Sequence, residues 1–345
     1  MVVVGAGQAG LSAARHLQRA GYAADEVAVL DHDRGPGGAW QHRWASLTLG
    51  TTNHVSDLPD LPLDSTQDEV PARTVVPAYF ADYERHFGLD VQRPVTVSSV
   101  HPDGDRLRVV SDVGTWRTRA LLNATGSWER PFWPRYPGAD DFRGRQLHTA
   151  DYVRAEDFAG QHVVVVGGGI SAVQLLDEVS RVTTTTWVTR RQVTFHEGRF
   201  RAEDGRAAVA RVEDRVRAGL PPGSVVSVTG LPLTPALRAA RERGVLARRP
   251  MFARLVPEGV AWADGTLQRA DVVLWCTGFR SALDHLAPLG LREPGGGITM
   301  TGRLATQVAR DPRVHLLGYG PSASTIGANR AGRAAVREVS ELLAR

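Results

Sequence analysis

Short apolar runs that end in glycine recur along this chain, and each is followed by a stretch with helical spacing. Val2-Val3-Val4 leads into Gly5-Ala6-Gly7-Gln8-Ala9-Gly10 and then into Leu11–Ala20; a second apolar run, Val27–Leu30, ends at Asp31. The same order returns later. Val163–Val166 leads into Gly167-Gly168-Gly169-Ile170-Ser171-Ala172, and the strand after it ends in Arg190-Arg191, with no acid there. Apolar runs of this length bounded by turn residues read as strands buried on both faces, and their alternation with helices predicts parallel, doubly wound sheets.

Each half continues alike. The first has a hairpin, Arg106–Val110 and Thr115–Arg119 around a turn at Asp112–Gly114, and then the strand Ala120-Leu121-Leu122-Asn123-Ala124-Thr125-Gly126. The second has a turn at Ala263-Asp264-Gly265 and a closing strand Asp271-Val272-Val273-Leu274-Trp275-Cys276-Thr277-Gly278. Two copies of one nucleotide-binding plan account for this. After Gly278 the chain reaches another apolar strand, Val314–Leu317, then Gly318-Tyr319-Gly320, and a helix over Thr325–Leu343 capped by Ser322 or Ser324. These last elements are expected to return and complete the first copy. The fold class is therefore α/β: two Rossmann-like three-layer dinucleotide-binding domains, the second inserted in the first. Residues 1–150 and 279–345 form the first, and 151–278 the second. Within the insert, helices are expected over Ala207–Ala218 and from Thr234-Pro235 to near Gly244, with Gly219–Gly223 as a linker.

Composition narrows the picture. A chain of 345 residues with 42% hydrophobic and 23% charged positions is ordinary for a globular protein and long enough for two cores. No apolar run is long enough to span a membrane, and no leader segment precedes the first strand, so a cytoplasmic protein is expected. The net charge of +4 carries little weight for nucleic acid, because all 41 basic residues are arginines, spread without an aromatic-interleaved stripe. Cys276 is the only cysteine, which excludes a dithiol relay within the chain.

The glycine loops carry the chemistry. Their glycines let the backbone approach a pyrophosphate, and the helix N-terminus supplies free N–H groups and partial positive charge. For the first loop the contact residues are Gly5, Gly7, Gln8, Ala9 and Gly10; for the second they are Gly167, Gly169, Ile170, Ser171 and Ala172. Asp31 stands where an acid hydrogen-bonds ribose hydroxyls, although a plain turn residue is the alternative. Arg190 and Arg191 suit a ribose carrying a 2′-phosphate, against a reading as solvated surface. The first loop thus points to FAD and the second to NADPH. Gly37, Gly38 and Trp40 follow Asp31, where glycines permit close contact with a flavin and the indole could flank it. Ser324, Thr325 and Ile326, at the start of the last helix, could place partial positive charge on the flavin pyrimidine edge.

Several of these segments resemble the flavin-containing monooxygenases. Phe142-Arg143-Gly144-Arg145-Gln146-Leu147-His148-Thr149-Ala150-Asp151-Tyr152 looks like that family's F-x-G-x-x-x-H-x-x-x-Y fingerprint. Gly37-Gly38-Ala39-Trp40 matches its G-G-x-W, Ala124-Thr125-Gly126 its A-T-G, and Cys276-Thr277-Gly278-Phe279 its later T-G-F/Y. The resemblance runs from residue 3 to about residue 280, and Tyr152 leans away from the Baeyer–Villiger enzymes, which usually carry tryptophan there. It implies that NADPH reduces FAD and that the reduced flavin takes up oxygen as a C4a-hydroperoxide. A small soft nucleophile, a thioether or amine with a ketone as the outlying case, then receives oxygen. It also implies cofactor-binding roles for Thr125, Gly126, Thr277, Gly278 and Gly320, and an asparagine near the flavin, for which Asn53 is the nearest catalytic candidate. His54, beside it, reads as a solvated loop residue or a proton donor, and His148 as a structural residue at a hinge.

The expected partners are a small-molecule substrate and O2, with no nucleic acid and no membrane, and with a homodimer as one allowed assembly. A flavin reductase or oxidase that passes electrons to a quinone or a partner shares every nucleotide motif, and so does a flavin-binding sensor without turnover. Only the Phe142–Tyr152 segment and the Trp40 region favour oxygen insertion.

Overall fold

The computed structural model describes residues 1–52, 54–64, 66–197, 202–223 and 230–344. Two compact units emerge, one of Met1–Glu129, Val209–Gly223 and Ser281–Arg345, the other of Arg130–Ala208 and Ser224–Arg280.

The first unit is built on a seven-stranded sheet in the order Met300–Thr301, Gln307–Val308, Val314–Leu316, Leu121–Asn123, Val2–Val4, Ala28–Leu30, Val91–Gln92. Its last five strands run parallel. Side chains alternate across it with the period of two that a strand imposes. Val3, Val29 and Leu122 pack among helices Gln8–Arg19, Ala72–Phe87 and Thr325–Leu343. Val2, Val4, Leu30 and Leu121 pack on Val100, Leu107 and Val109 of a three-stranded antiparallel meander, Val97–Asp103, Arg106–Ser111 and Thr115–Thr118. The result is three layers. Strand Val314–Leu316 and helix Thr325–Leu343 belong to this unit. Strand Val314–Leu316 pairs with Leu121–Asn123, and the last helix lies on the first: a Cβ on Gly332 would sit 2.8 Å from Ser12 Oγ.

The second unit repeats the plan with five parallel strands in the order Arg248–Pro250, Thr184–Thr189, His162–Val166, Val272–Trp275, Arg145–His148. Val164, Val166, Val188, Val273 and Trp275 face Leu255 and Val260 of a second meander, Arg254–Val256, Gly259–Ala261 and Leu267–Arg269. Helix Ile170–Val179 buries Val173, Leu175 and Leu176. Thr234 caps helix Pro235–Glu242 through its hydroxyl, which accepts from Leu237 N at 3.3 Å.

The unit boundaries differ from those expected at residues 150 and 278. Arg130–Ala150 belongs with the second unit because strand Arg145–His148 pairs with Val272–Trp275. Val209–Gly223, expected in the insert, belongs with the first. Val216 is fully buried in that unit's core, Arg217 donates to Gly302 O at 2.7 Å, and Gly219 O leaves no room for a Cβ on Gly297. The expected helix over Ala207–Ala218 is observed as Ala202–Arg217.

Three histidines of the first unit are held neutral. Burial pushes His315, His285 and His16 down to about 4; Arg19 and Arg333 add to the effect at His16. His315 is fully buried, with Nδ1 3.2 Å from Thr306 Oγ1 and Nε2 without a partner among the described residues. Their folded pKa lies below the unfolded value, so each takes up a proton on unfolding as pH falls. The stabilisation is complete above about 6.5 and is lost toward pH 4. We expect the thermal midpoint to fall across this window. The His315→Asn variant should show a shallower fall, by up to about one proton in the linkage slope. Parallel melting curves at pH 7, 6, 5 and 4.5 measure it, and equal slopes would mean that His315 is not held neutral.

Candidate functional site

Both glycine loops are shaped by the same steric demand. Gly5 has φ +96°, and a Cβ there would lie 2.5 Å from Ala124 O; a Cβ on Gly10 would lie 1.8 Å from Gly5 O. In the second unit Gly167 has φ +150°, and its Cβ would lie 2.2 Å from Cys276 O. The loops are closed toward the sheet and open away from it, since nothing stands within 4 Å of a Cβ on Gly7 or Gly169. These two glycines are the N-cap residues of helices Gln8–Arg19 and Ile170–Val179, and neither helix start has a side-chain cap. Helix amides without a cap need acceptors from outside the helix, and a phosphate supplies them. Both loops therefore fit a dinucleotide on the geometry of this chain.

In the first unit the expected residues gather at the C-terminal edge of the parallel strands. Gly37 and Gly38 have φ +127° and +50°, and a Cβ on Gly38 would touch Gly7 Cα at 3.1 Å, so the turn Gly38–His42 lies on the phosphate loop. Trp40 packs on the core beside it. Ala9 is buried, 3.9 Å from a Cβ on Gly318. Gln8 is buried and donates to Ser56 O and Asn329 Oδ1, each at 3.0 Å; its Oε1 has no partner among the described residues. The last helix is capped by Ser324, not Ser322, through Gly327 N at 3.1 Å. Thr325 Oγ1 accepts from Ser56 N at 3.0 Å, and Ile326 is exposed.

Two residues are placed less simply. The Thr125 hydroxyl is engaged within the protein, donating to Ala282 O at 2.6 Å and accepting from Asn123 Nδ2 at 3.0 Å; Gly126, at φ +62°, accepts from Ala282 N at 2.9 Å. Gly320 is buried against Val216 rather than open. Asn53 lies outside the described residues. The neighbouring His54 O is a hydrogen-bond acceptor, 3.3 Å from Thr325 Oγ1.

Asp31 is 3% exposed and sits beside the loop at the end of strand Ala28–Leu30. Burial pulls its pKa up, but His32 and Arg93 outweigh this and hold it below the ordinary value. Arg93 Nε is 3.2 Å from Asp31 Oδ2, and the same guanidinium forks onto Glu84 at 2.8 and 2.7 Å. Asp31 pushes His32 up to about 9, against burial and with Asp33 and Glu129 adding to it. Sequence reading missed Arg93 and Glu84, which lie far along the chain and carry no motif.

In the second unit Trp187 Nε1 donates to Gly167 O at 2.8 Å and braces the loop. Ile170, Ser171 and Ala172 form the first helical turn, with Ala172 buried. Arg190 and Arg191 are exposed at the end of strand Thr184–Thr189, and neither side chain pairs with a described residue. Their backbone is fixed from behind: Arg248 Nε donates to Thr189 Oγ1, which donates to Arg191 O, both at 2.6 Å. Burial pushes the Cys276 thiol up to about 12, which removes it from thiolate chemistry.

His148 has a defined tautomer. It is fully buried, its Nδ1 accepts from Ala150 N at 3.1 Å, and Nε2 donates to Gly278 O at 3.0 Å. Burial lowers its pKa, in keeping with a neutral ring. Gly278 O also accepts from Phe132 N at 2.9 Å, and the Thr277 hydroxyl donates to Phe132 O. The fingerprint histidine thus pins the Thr277-Gly278 turn to its own strand. Tyr152, the last fingerprint residue, is buried and stacks on Phe158 at 5.7 Å.

Two uncapped helix starts over parallel sheets, one beside a buried acid and one beside free arginines, define a flavoprotein oxidoreductase with two dinucleotide sites. A model of the pyridine nucleotide-disulphide oxidoreductase family matches residues 2–202. The flavin-containing monooxygenase from Stenotrophomonas maltophilia is 41% identical, covers 99% of this chain and 98% of its own, and superposes with a TM-score of 0.84. An uncharacterized oxidoreductase, CzcO, from Bacillus subtilis is 24% identical over 86% of each chain. The indole-3-pyruvate monooxygenase YUCCA1 of Oryza sativa subsp. japonica is 31% identical over 52% of this chain and 45% of its own. The chain belongs to the flavin monooxygenase family, whose cofactors are FAD and NADPH. Among the described residues no helix is long and apolar enough to cross a membrane.

Replacing His148 with alanine leaves Gly278 O and Ala150 N without their imidazole partner. We expect a loss of about 1–3 kcal/mol of stability. Differential scanning calorimetry reads it; an unchanged unfolding profile would show that the pin carries no load.

Proposed function

We propose that this chain is a cytoplasmic monooxygenase that uses NADPH and O2 to oxygenate a small soft nucleophile, a thioether or an amine. FAD is assigned to Gly5–Gly10 and NADPH to Gly167–Ala172. The observation that carries the assignment is the contrast at the ends of the two second strands. Asp31 is buried and held charged beside one loop, where an acid recognises ribose hydroxyls. Arg190 and Arg191 stand exposed and unpaired among the described residues beside the other, where guanidinium groups recognise a 2′-phosphate.

Bound FAD would supply the redox chemistry, accepting a hydride and activating oxygen. The protein contributes position and charge. Backbone amides of Gln8 to Gly10 are assigned to its pyrophosphate. Those of Thr325 and Ile326, at the positive end of the last helix, are assigned to the pyrimidine edge of its ring, where they would favour negative charge. Thr125 and Thr277 support this indirectly, by fixing the backbone turns at Gly126 and Gly278. The sulfur or nitrogen substrate is the class that accepts oxygen without a protein base, which suits a chain whose single thiol is buried and protonated.

The test is NADPH-driven oxidation of a simple dialkyl or aryl sulfide by the purified protein under 18O2. Labelled sulfoxide formed in step with NADPH consumption supports the proposal. Peroxide release with no sulfoxide, for sulfide and tertiary amine alike, would instead make this chain a reductase or oxidase. The double variant R190A/R191A should lose roughly tenfold or more in kcat/KM for NADPH, a charged contact being worth about 1.5–3 kcal/mol, with little change for NADH. An unmoved NADPH/NADH ratio would place the 2′-phosphate elsewhere.

A further inference from the structure

The first unit holds a cation, Arg43, for which the described residues provide no carboxylate partner. Arg43 follows the Gly38–His42 turn and is half-buried; its Nε is fully buried and has no hydrogen-bond partner among the described residues. Its guanidinium carbon lies 4.7 Å from the Trp128 ring centroid and 5.7 Å from that of Trp40. No carboxylate of the described residues pairs with it. Arg93, also half-buried, has Asp31 and Glu84, whereas the acid near Arg43 in sequence, Asp33, is engaged by Gln41 and His42. Burial lowers Arg43 to about 10. A guanidinium with a buried, unpartnered Nε and no carboxylate beside it is costly, and proteins rarely keep one without a partner.

The two indoles that hold this cation come from segments bordering the phosphate loop. Trp40 sits on the turn whose Gly38 touches Gly7. Trp128 follows Gly126, and Ala124 just before it backs Gly5. His42 stacks nearly parallel to Trp128, its ring centroid 5.9 Å away. Indole faces attract a cation without neutralising it. They restrict its position and leave its N–H groups for an acceptor from outside the chain.

We propose that Arg43 is a positioning residue for the FAD pyrophosphate: a guanidinium held between Trp40 and Trp128 at the rim of the Gly5–Gly10 loop, whose counter-ion is the incoming diphosphate. The inference rests on the assignment of FAD to that loop. It predicts opposite effects of one substitution. Loss of the cation weakens diphosphate binding and relieves the protein lacking flavin of a half-buried charge that no described carboxylate pairs. A structural guanidinium would instead support the empty protein.

The experiment compares full-length wild type with R43M and R43Q after removal of flavin. FAD and ADP are titrated as diphosphate probes and adenosine as the probe without phosphate, at two salt concentrations, and the melting of each flavin-free protein is recorded. We expect affinity for FAD and ADP to fall tenfold or more in both variants, adenosine affinity to stay within twofold, and salt dependence to weaken. The thermal midpoint without flavin should equal or exceed that of wild type. Equal FAD affinity in wild type and variants overturns the inference, as does a variant that melts well below wild type or fails to fold while losing all three probes together. Failure of wild type itself to bind FAD or ADP would strike the loop assignment, and so is distinguishable from failure of the role given to Arg43.

Discussion

The whole arrangement depends on helix amides that have no side-chain cap among the described residues. Two helices begin at glycines where a side-chain cap would ordinarily stand, and in both cases the glycine further back is pressed against a neighbouring strand's carbonyl, Ala124 O or Cys276 O. A residue with a Cβ could not make that approach, and a capped helix would not need a ligand. The parallel sheet supplies the geometry by ending both strands at the same level. Around the loops stand the Trp187 brace, a buried acid in one unit and exposed arginines in the other, the contrast on which the proposed assignment of cofactors rests.

Much of this was legible along the chain because it is local. Strand, glycine loop, helix and second strand lie within about thirty residues, which is the span over which hydrophobic period and turn chemistry can be read directly. The return of Val314–Leu316 and the last helix was also readable, since a free strand must find an edge. What escaped the sequence depends on contacts between distant segments. Strand Val97–Asp103 and helix Ala72–Phe87 carry no motif. Val209–Gly223 reads as part of an insert, and contacts with distant segments, chiefly the burial of Val216 among Leu283, Ile298 and Met300, assign it to the first unit.

The site divides in the same way. Backbone roles, those of Gly5, Gly7, Gly167 and Gly169, follow from residue type. Side-chain roles do not. Thr125 and Thr277 belong to recognisable segments, yet their hydroxyls bond to protein carbonyls, a fact about Ala282 and Phe132 that neither segment reveals. The charge on Asp31 depends on Arg93, and Arg93 depends on Glu84 for its orientation. His148 shows the reverse: the fingerprint marks it as notable, and its two committed nitrogens make it a structural pin with no proton to offer.

The sheet of the first unit has a consequence for biosynthesis. Strand Leu121–Asn123 is flanked by Val2–Val4 and by Val314–Leu316, and Gln8 reaches Asn329 on the last helix. A nascent chain leaving the ribosome holds its opening strands long before their neighbour has been translated, while the second unit emerges within Arg130–Arg280, interrupted only by Val209–Gly223. The inner unit can therefore acquire its core during synthesis, and the outer one must wait for the final thirty residues or so, the order expected when domains fold as they emerge. With FAD assigned to the first unit, as proposed, flavin capture would follow translation, and early termination would leave the second unit without the fold that holds it.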